Sequence, residues 1–137
     1  MSLRVGLMTS SLSTTATLLP DLRRFGKGQS VPRFGLAVVR GRSMEPTLRE
    51  GDRLLVRYGV QPRPGRIAVV RLPGRPGLSV KRIGWRDAEG WWIERDNPRE
   101  GVDSWQVGAV GQDAVVAVAL GRVWPRPGRL RRRGVGG

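Results

Sequence analysis

The chain has no cysteine, no histidine, a single tyrosine, and only two lysines, Lys27 and Lys81, among its 25 basic residues. Without cysteine there is no disulfide and no thiolate nucleophile, and either redox compartment is compatible. Without histidine the commonest general base is missing. A zinc or copper centre then lacks its ligands, because carboxylates alone suit harder ions, so no metal and no cofactor is expected. No stretch approaches the roughly 18 apolar residues needed to cross a bilayer. Residues 1–20 carry Arg4 and several leucines but are dominated by serine and threonine, without the compact apolar core of a signal peptide. The expectation is a protein with no transmembrane segment, cytoplasmic or peripheral at the membrane.

What is abundant is arginine. The 137 residues carry a formal net charge of +14, enough to draw acidic partners. The arginines are scattered, however, and the one dense run, Arg129 to Arg133, lies in a Pro/Gly-rich tail. Scattered charge gives sequence-independent contact only, so no dedicated nucleic-acid binding is expected, and the tail reads as solvated. Against this arginine background Lys81 stands out. It sits in the strand-like run Leu78-Ser79-Val80-Lys81-Arg82-Ile83. Arginine does not deprotonate in a protein, whereas a buried lysine can lose its proton and act as a base.

Pro and Gly punctuate short apolar runs. Residues 1–33, with Pro20 and Pro32 as breakers, read as a flexible arm in which Leu18 to Phe25 has some helical character. From Phe34 the texture is β-rich: strands are predicted over Phe34–Arg40, Arg53–Tyr58, Arg66–Leu72, Leu78–Trp85, Gly90–Glu94 and Ala114–Trp124. Pro-Gly pairs at Pro64-Gly65, Pro73-Gly74 and Pro76-Gly77 suit type II turns. Strands every 10 to 15 residues without long helices between them predict a mainly β domain, a small coiled sheet or partly open barrel. The organisation expected is an arm (1–33), one β domain (34–124) and a basic, disordered tail (125–137).

Ser43 opens Ser43-Met44-Glu45-Pro46-Thr47-Leu48, where Pro46 favours a first helical turn and Gly51 ends it. That places a hydroxyl at the mouth of a short helical turn, where backbone N–H groups can stabilise an oxyanion. A hydroxyl and a buried neutral amine together make a nucleophile and its base. Taken separately, Ser43 reads as an N-cap of that turn and Lys81 as a surface strand position. Asp87 and Glu89 read as an exposed hairpin turn, and the five tryptophans as core or rim packing.

The joint pattern carries more. Gly41-Arg42-Ser43-Met44-Glu45-Pro46-Thr47-Leu48, Gly51-Asp52-Arg53-Leu54-Leu55-Val56 and Val80-Lys81-Arg82 resemble the signal peptidase I-like Ser/Lys proteases. The likeness continues in Asp96-Asn97-Pro98, Asp103-Ser104, Gly108 and Gly121-Arg122-Val123. The resemblance implies a fold of the signal peptidase/LexA-like type, with Ser43 as nucleophile and Lys81 as base. It implies a site wall and oxyanion region at Gly41 and Met44, and Asp96, Asn97 and Asp103 as supports behind Lys81. Gly41 stands where some members carry an oxyanion hydroxyl, Gly101 where many carry a lysine-orienting serine, and Arg66 where an aspartate is usual. Within the family the chain looks like the short proteases that mature nickel-type superoxide dismutase. The implied partner is a precursor bound as an extended strand and relieved of its leader. A LexA-like self-cleaving regulator, and a signal peptidase I acting on secreted precursors, are the alternatives. The sequence names no oligomeric state.

Overall fold

The computed structural model describes residues 15–19, 33–99 and 104–130. Seven strands account for most of these residues: β1 (Thr15–Leu19), β2 (Phe34–Arg40), β3 (Arg53–Tyr58), β4 (Ile67–Val70), β5 (Leu78–Asp87), β6 (Gly90–Glu94) and β7 (Val115–Trp124). One helical turn, α1 (Ser104–Val107), and a 3-10 turn (Gln112–Ala114) precede β7. All pairings are antiparallel, in the order β1-β2-β3-β7-β4-β5-β6, and β1 also pairs with β5. That last pairing closes six strands into a ring and leaves β6 outside it, so the mainly β, barrel-like expectation holds.

Strand chemistry explains the two-sided core. Successive side chains of a strand point to opposite faces, and β4 is buried at all four positions. Ile67 and Val69 join one apolar cluster with Ala37, Val39, Leu54 and Val56; Ala68 and Val70 join a second with Ile83, Trp91 and Ile93. The first cluster fills the ring. The second lies between β4, β5 and β6. β4 thus reads as a continuous apolar run rather than an alternation.

The turns follow their residues. Arg66 N–H donates to Arg63 O and Arg75 N–H to Leu72 O, each at 3.2 Å. Pro64 and Pro73 occupy the second position of these turns. Gly65 and Gly74, at φ 85° and 69°, occupy the third, where type II geometry requires a positive φ. Asp87 Oδ1 accepts from the N–H groups of Glu89 and Gly90 and caps the β5–β6 hairpin, as expected of an exposed turn.

Three expectations differ from the structure. Thr15–Leu19, within the stretch read as an arm, is a strand with Leu18 buried; the remainder of 1–32 lies outside the described residues. Leu18 and Leu19, where helical character was expected, belong to that strand. The segment after Ser43, by contrast, is the single hydrogen-bonded turn expected there: Leu48 N–H donates to Met44 O at 2.9 Å, the four-residue spacing that closes one helical turn. At the other end, Gly128 pairs with Arg122 and Leu130 packs on the first cluster. The tail read as disordered is therefore tied down at its start, and residues 131–137 lie outside the described set. Among the described residues no helix is long and apolar enough to cross a membrane.

Candidate active site

β2 delivers the chain to Ser43 and β5 carries Lys81, two elements separated in sequence but joined through their neighbours in the ring. Lys81 Nζ lies 3.4 Å from Ser43 Oγ, and both residues are completely buried, at 0% exposure. As an ammonium, Nζ donates to Oγ; as a neutral amine, it can instead accept the hydroxyl proton. The distance is at the long end for a hydrogen bond.

Two neighbouring systems fix the pair. On the lysine side, Arg82 is buried and forms a two-point ion pair with Asp96: Nε to Oδ1 at 3.2 Å and Nη2 to Oδ2 at 2.5 Å. Arg82 Nη1 also donates to Gly65 O at 2.9 Å, and Thr47 Oγ1 donates to Asp96 Oδ2. Thr47 belongs to the turn that begins at Ser43, so Asp96 ties that turn to β5 next to Lys81. On the serine side, Asn97 N–H donates to Ser43 O at 2.8 Å and Asn97 Nδ2 to Arg42 O at 2.9 Å. Two consecutive residues after β6 thus hold the two halves of the site together.

Met44 is fully buried in the first cluster and packs the floor of the turn. Gly41 N–H donates to Glu50 Oε1 at 3.0 Å and so points at a carboxylate rather than towards Ser43. Asp103 and Gly101 lie outside the described residues. Arg82 and Thr47 were not singled out from the sequence. The signal for Arg82 was available: an arginine inside an apolar strand needs a carboxylate partner. Thr47 carried no such signal, because its role follows from the turn's position against Asp96.

A cleft of about 610 Å³ borders the same turn, with Thr47, Arg49, Arg122, Arg126 and Arg129 on its walls. Asp52 Oδ2 faces Arg122 Nη1 at 3.5 Å, so arginines outnumber the carboxylate and the cleft favours anionic groups. Among the described residues no group of three or more acidic side chains is placed to hold a metal ion.

Comparison with known proteins bears on this arrangement. Residues 26–119 match the Peptidase S24-like family. No curated protein matches the chain. The match spans more than half of the sequence and includes both Ser43 and Lys81, and the chain belongs to the Peptidase S24-like family.

Proposed function

We propose, taking membership of the Peptidase S24-like family as the premise, that this protein is a serine endopeptidase working through a Ser43/Lys81 dyad. The observation that carries the reading is the 3.4 Å approach of Lys81 Nζ to Ser43 Oγ in a fully buried setting. Ser43 Oγ attacks the scissile carbonyl carbon while its proton passes to the neutral Lys81 amine. The resulting ammonium protonates the leaving amine, leaving an acyl ester on Ser43. Water then attacks that ester, Lys81 again takes the proton, and Ser43 leaves as the free hydroxyl. Asp96 and Asn97 act by position, the first through Arg82 and Thr47, the second through the carbonyls of Arg42 and Ser43. Asp103 is a further support by resemblance, the Ser43 N–H serves the oxyanion, and Gly41 belongs to the site wall.

The substrate is a precursor protein held as an extended strand and relieved of an N-terminal leader. The motif set resembles that of the short proteases that mature nickel-type superoxide dismutase, and the net charge of +14 favours an acidic partner. The encounter belongs in the cytoplasm or at the membrane surface. A second reading, self-cleavage of a LexA-like regulator, draws support from β1, which places the chain's own segment beside both strands of the dyad.

Co-expression of a nickel-type superoxide dismutase precursor with the parent or with Ser43→Ala, followed by N-terminal sequencing, tests the substrate. A trimmed precursor only with the parent is expected, and an uncut precursor in both cultures rejects it. For the dyad, Ser43→Ala, Lys81→Met and Lys81→Arg should each abolish cleavage of a peptide library while the fold persists. Arginine fails because a guanidinium stays charged, so appreciable activity in Lys81→Arg removes Lys81 as the base. Mass spectrometry after alkaline incubation reads self-cleavage directly as a shortened chain.

A further inference from the structure

Four arginines gather around the cleft beside the catalytic turn, on walls drawn from separate stretches of chain. Arg49 stands at the end of the turn that begins at Ser43, Arg122 near the end of β7, and Arg126 and Arg129 on the segment that follows. Among the described lining residues the one carboxylate is Asp52, and it is already engaged. Its Oδ2 accepts from the Arg49 N–H at 2.9 Å and faces Arg122 Nη1 at 3.5 Å. Among the described residues none of Arg49, Arg126 and Arg129 has an ion-pair partner. Like charges set around one cavity repel, and an anion placed between them relieves that repulsion.

Two features separate this cleft from scattered surface charge. The Arg122 guanidinium is held in place: Nε donates to Arg126 O at 2.9 Å, and Nη1 lies 3.5 Å from both Asp52 Oδ2 and Thr47 O. The segment carrying Arg126 and Arg129 is anchored as well. Gly128 and Arg122 exchange both backbone hydrogen bonds at 2.9 Å, and Leu130 packs on the first cluster. That exchange occupies the strand edge, so the cleft offers guanidinium forks, which match phosphate oxygens two at a time. Its volume of about 610 Å³ is that of a small-molecule site and exceeds what one phosphate fills. Pro46, Pro125 and Leu130 supply apolar surface for the remainder of a ligand. We propose that the cleft binds a small molecule carrying a di- or triphosphate, and that this ligand braces the catalytic turn. A ligand joining Arg49 to Arg126 and Arg129 ties the turn to the end of β7. Thr47, on the same wall, passes that restraint through Asp96 to Arg82, the neighbour of Lys81. Only the catalytic meaning of the brace rests on the peptidase reading; the binding site does not.

Calorimetric titration of the full chain with inorganic tripolyphosphate, at low salt and without divalent cations, should give saturable binding. Arg126→Gln with Arg129→Gln changes two exposed side chains and keeps the Arg126 carbonyl that Arg122 bonds. This pair should weaken binding about tenfold or more, as expected for lost charge-assisted contacts. Arg71→Gln with Arg75→Gln removes the same charge beside the β4–β5 turn and should leave affinity within about twofold. Equal weakening by both pairs, or no saturable binding, overturns the proposal, because net charge and not the cleft would then hold the anion. Citrate binding as tightly as tripolyphosphate refutes the phosphate assignment, and duplex DNA displacing tripolyphosphate at equal phosphate concentration refutes the small ligand. ATP, titrated separately, distinguishes the sources. Tighter binding than tripolyphosphate places a nucleoside on the apolar lining, equal binding assigns the phosphates alone, and each supports the site. For the brace, amide hydrogen exchange at Leu48, whose N–H closes the turn, should slow about threefold or more on saturation with tripolyphosphate; unchanged exchange overturns it. Neither readout involves cleavage. A Ser43→Ala protein that still cleaves peptides would remove the dyad while leaving the binding result intact.

Discussion

Replacing Asp96 by alanine strips the Arg82 guanidinium of its carboxylate while leaving it inside the protein. Three contacts vanish together: both arms of the ion pair and the hydroxyl donated by Thr47. Each side chain of the pair is only 3% exposed, so water does not take the carboxylate's place. Truncating one member of a buried pair costs about 3–5 kcal/mol, against about 0.2–1 kcal/mol for an exposed one. For a chain of this size each kcal/mol moves the melting midpoint by roughly 3–5 °C, so Asp96→Ala should melt about 10–20 °C below the parent. The companion variant Arg82→Leu with Asp96→Leu removes both charges from the same space. Replacing a whole buried pair by apolar groups is often close to neutral, so the double variant should recover most of the loss despite being the larger change. Thermal unfolding followed by circular dichroism, with urea midpoints as a second measure, compares the three proteins. An Asp96→Ala protein within about 1 kcal/mol of the parent, or a double variant as unstable as the single, refutes the reasoning, because either result means that the guanidinium was never held out of water by this carboxylate.

Activity should climb with rising pH, because only the neutral Lys81 amine accepts the Ser43 proton and the chain has no histidine to supply another base; a limb that falls over the same range argues against Lys81. Tyr58 is the sole tyrosine, and burial pushes its phenol above the usual value. Absorbance near 295 nm should therefore show ionisation only above about pH 10. The raised folded value means that this group's contribution to stability is complete below the unfolded pKa and lost as pH rises through the folded one; Tyr58→Phe should abolish that loss. Among the described residues the buried Tyr58 hydroxyl has no hydrogen-bond partner, so the same substitution should leave stability at neutral pH unchanged or slightly raised, and a loss above about 1 kcal/mol would mean that the hydroxyl is satisfied. Gly90 has φ 140°, and a Cβ there would lie 2.3 Å from Val110 O. Gly90→Ala should accordingly cost on the order of 2–3 kcal/mol, read in the same unfolding assays, and a neutral result would show that β6 and residue 110 separate easily.

Several strands were legible to the residue. Phe34–Arg40, Arg53–Tyr58 and Gly90–Glu94 have the predicted bounds, because β-branched and aromatic runs closed by Gly and Pro encode extended backbone locally. The Pro-Gly turns are equally local, since proline presets one dihedral and glycine supplies the other. β1 was not legible. Thr15-Ala16-Thr17-Leu18-Leu19 is short and lies in a Ser/Thr-rich stretch, and it becomes a strand only because β2 and β5 offer hydrogen-bonding edges on both sides. The turn after Ser43 was legible through Pro46 and Gly51, but not what holds it in place, Asn97 on one side and Thr47 against Asp96 on the other.

The sequence by itself determined a mainly β chain without disulfides, and it marked Ser43 and Lys81 by motif and by the scarcity of lysine. The tertiary structure decided what lies beside them. The 3.4 Å approach spans 38 residues of chain, and the partners of Arg82, Asn97 and β1 are likewise distant in sequence. Composition and periodicity report each residue's own burial and backbone preference. Which strand edge meets which is settled only when the ring closes and every buried charge and backbone group has to find its partner.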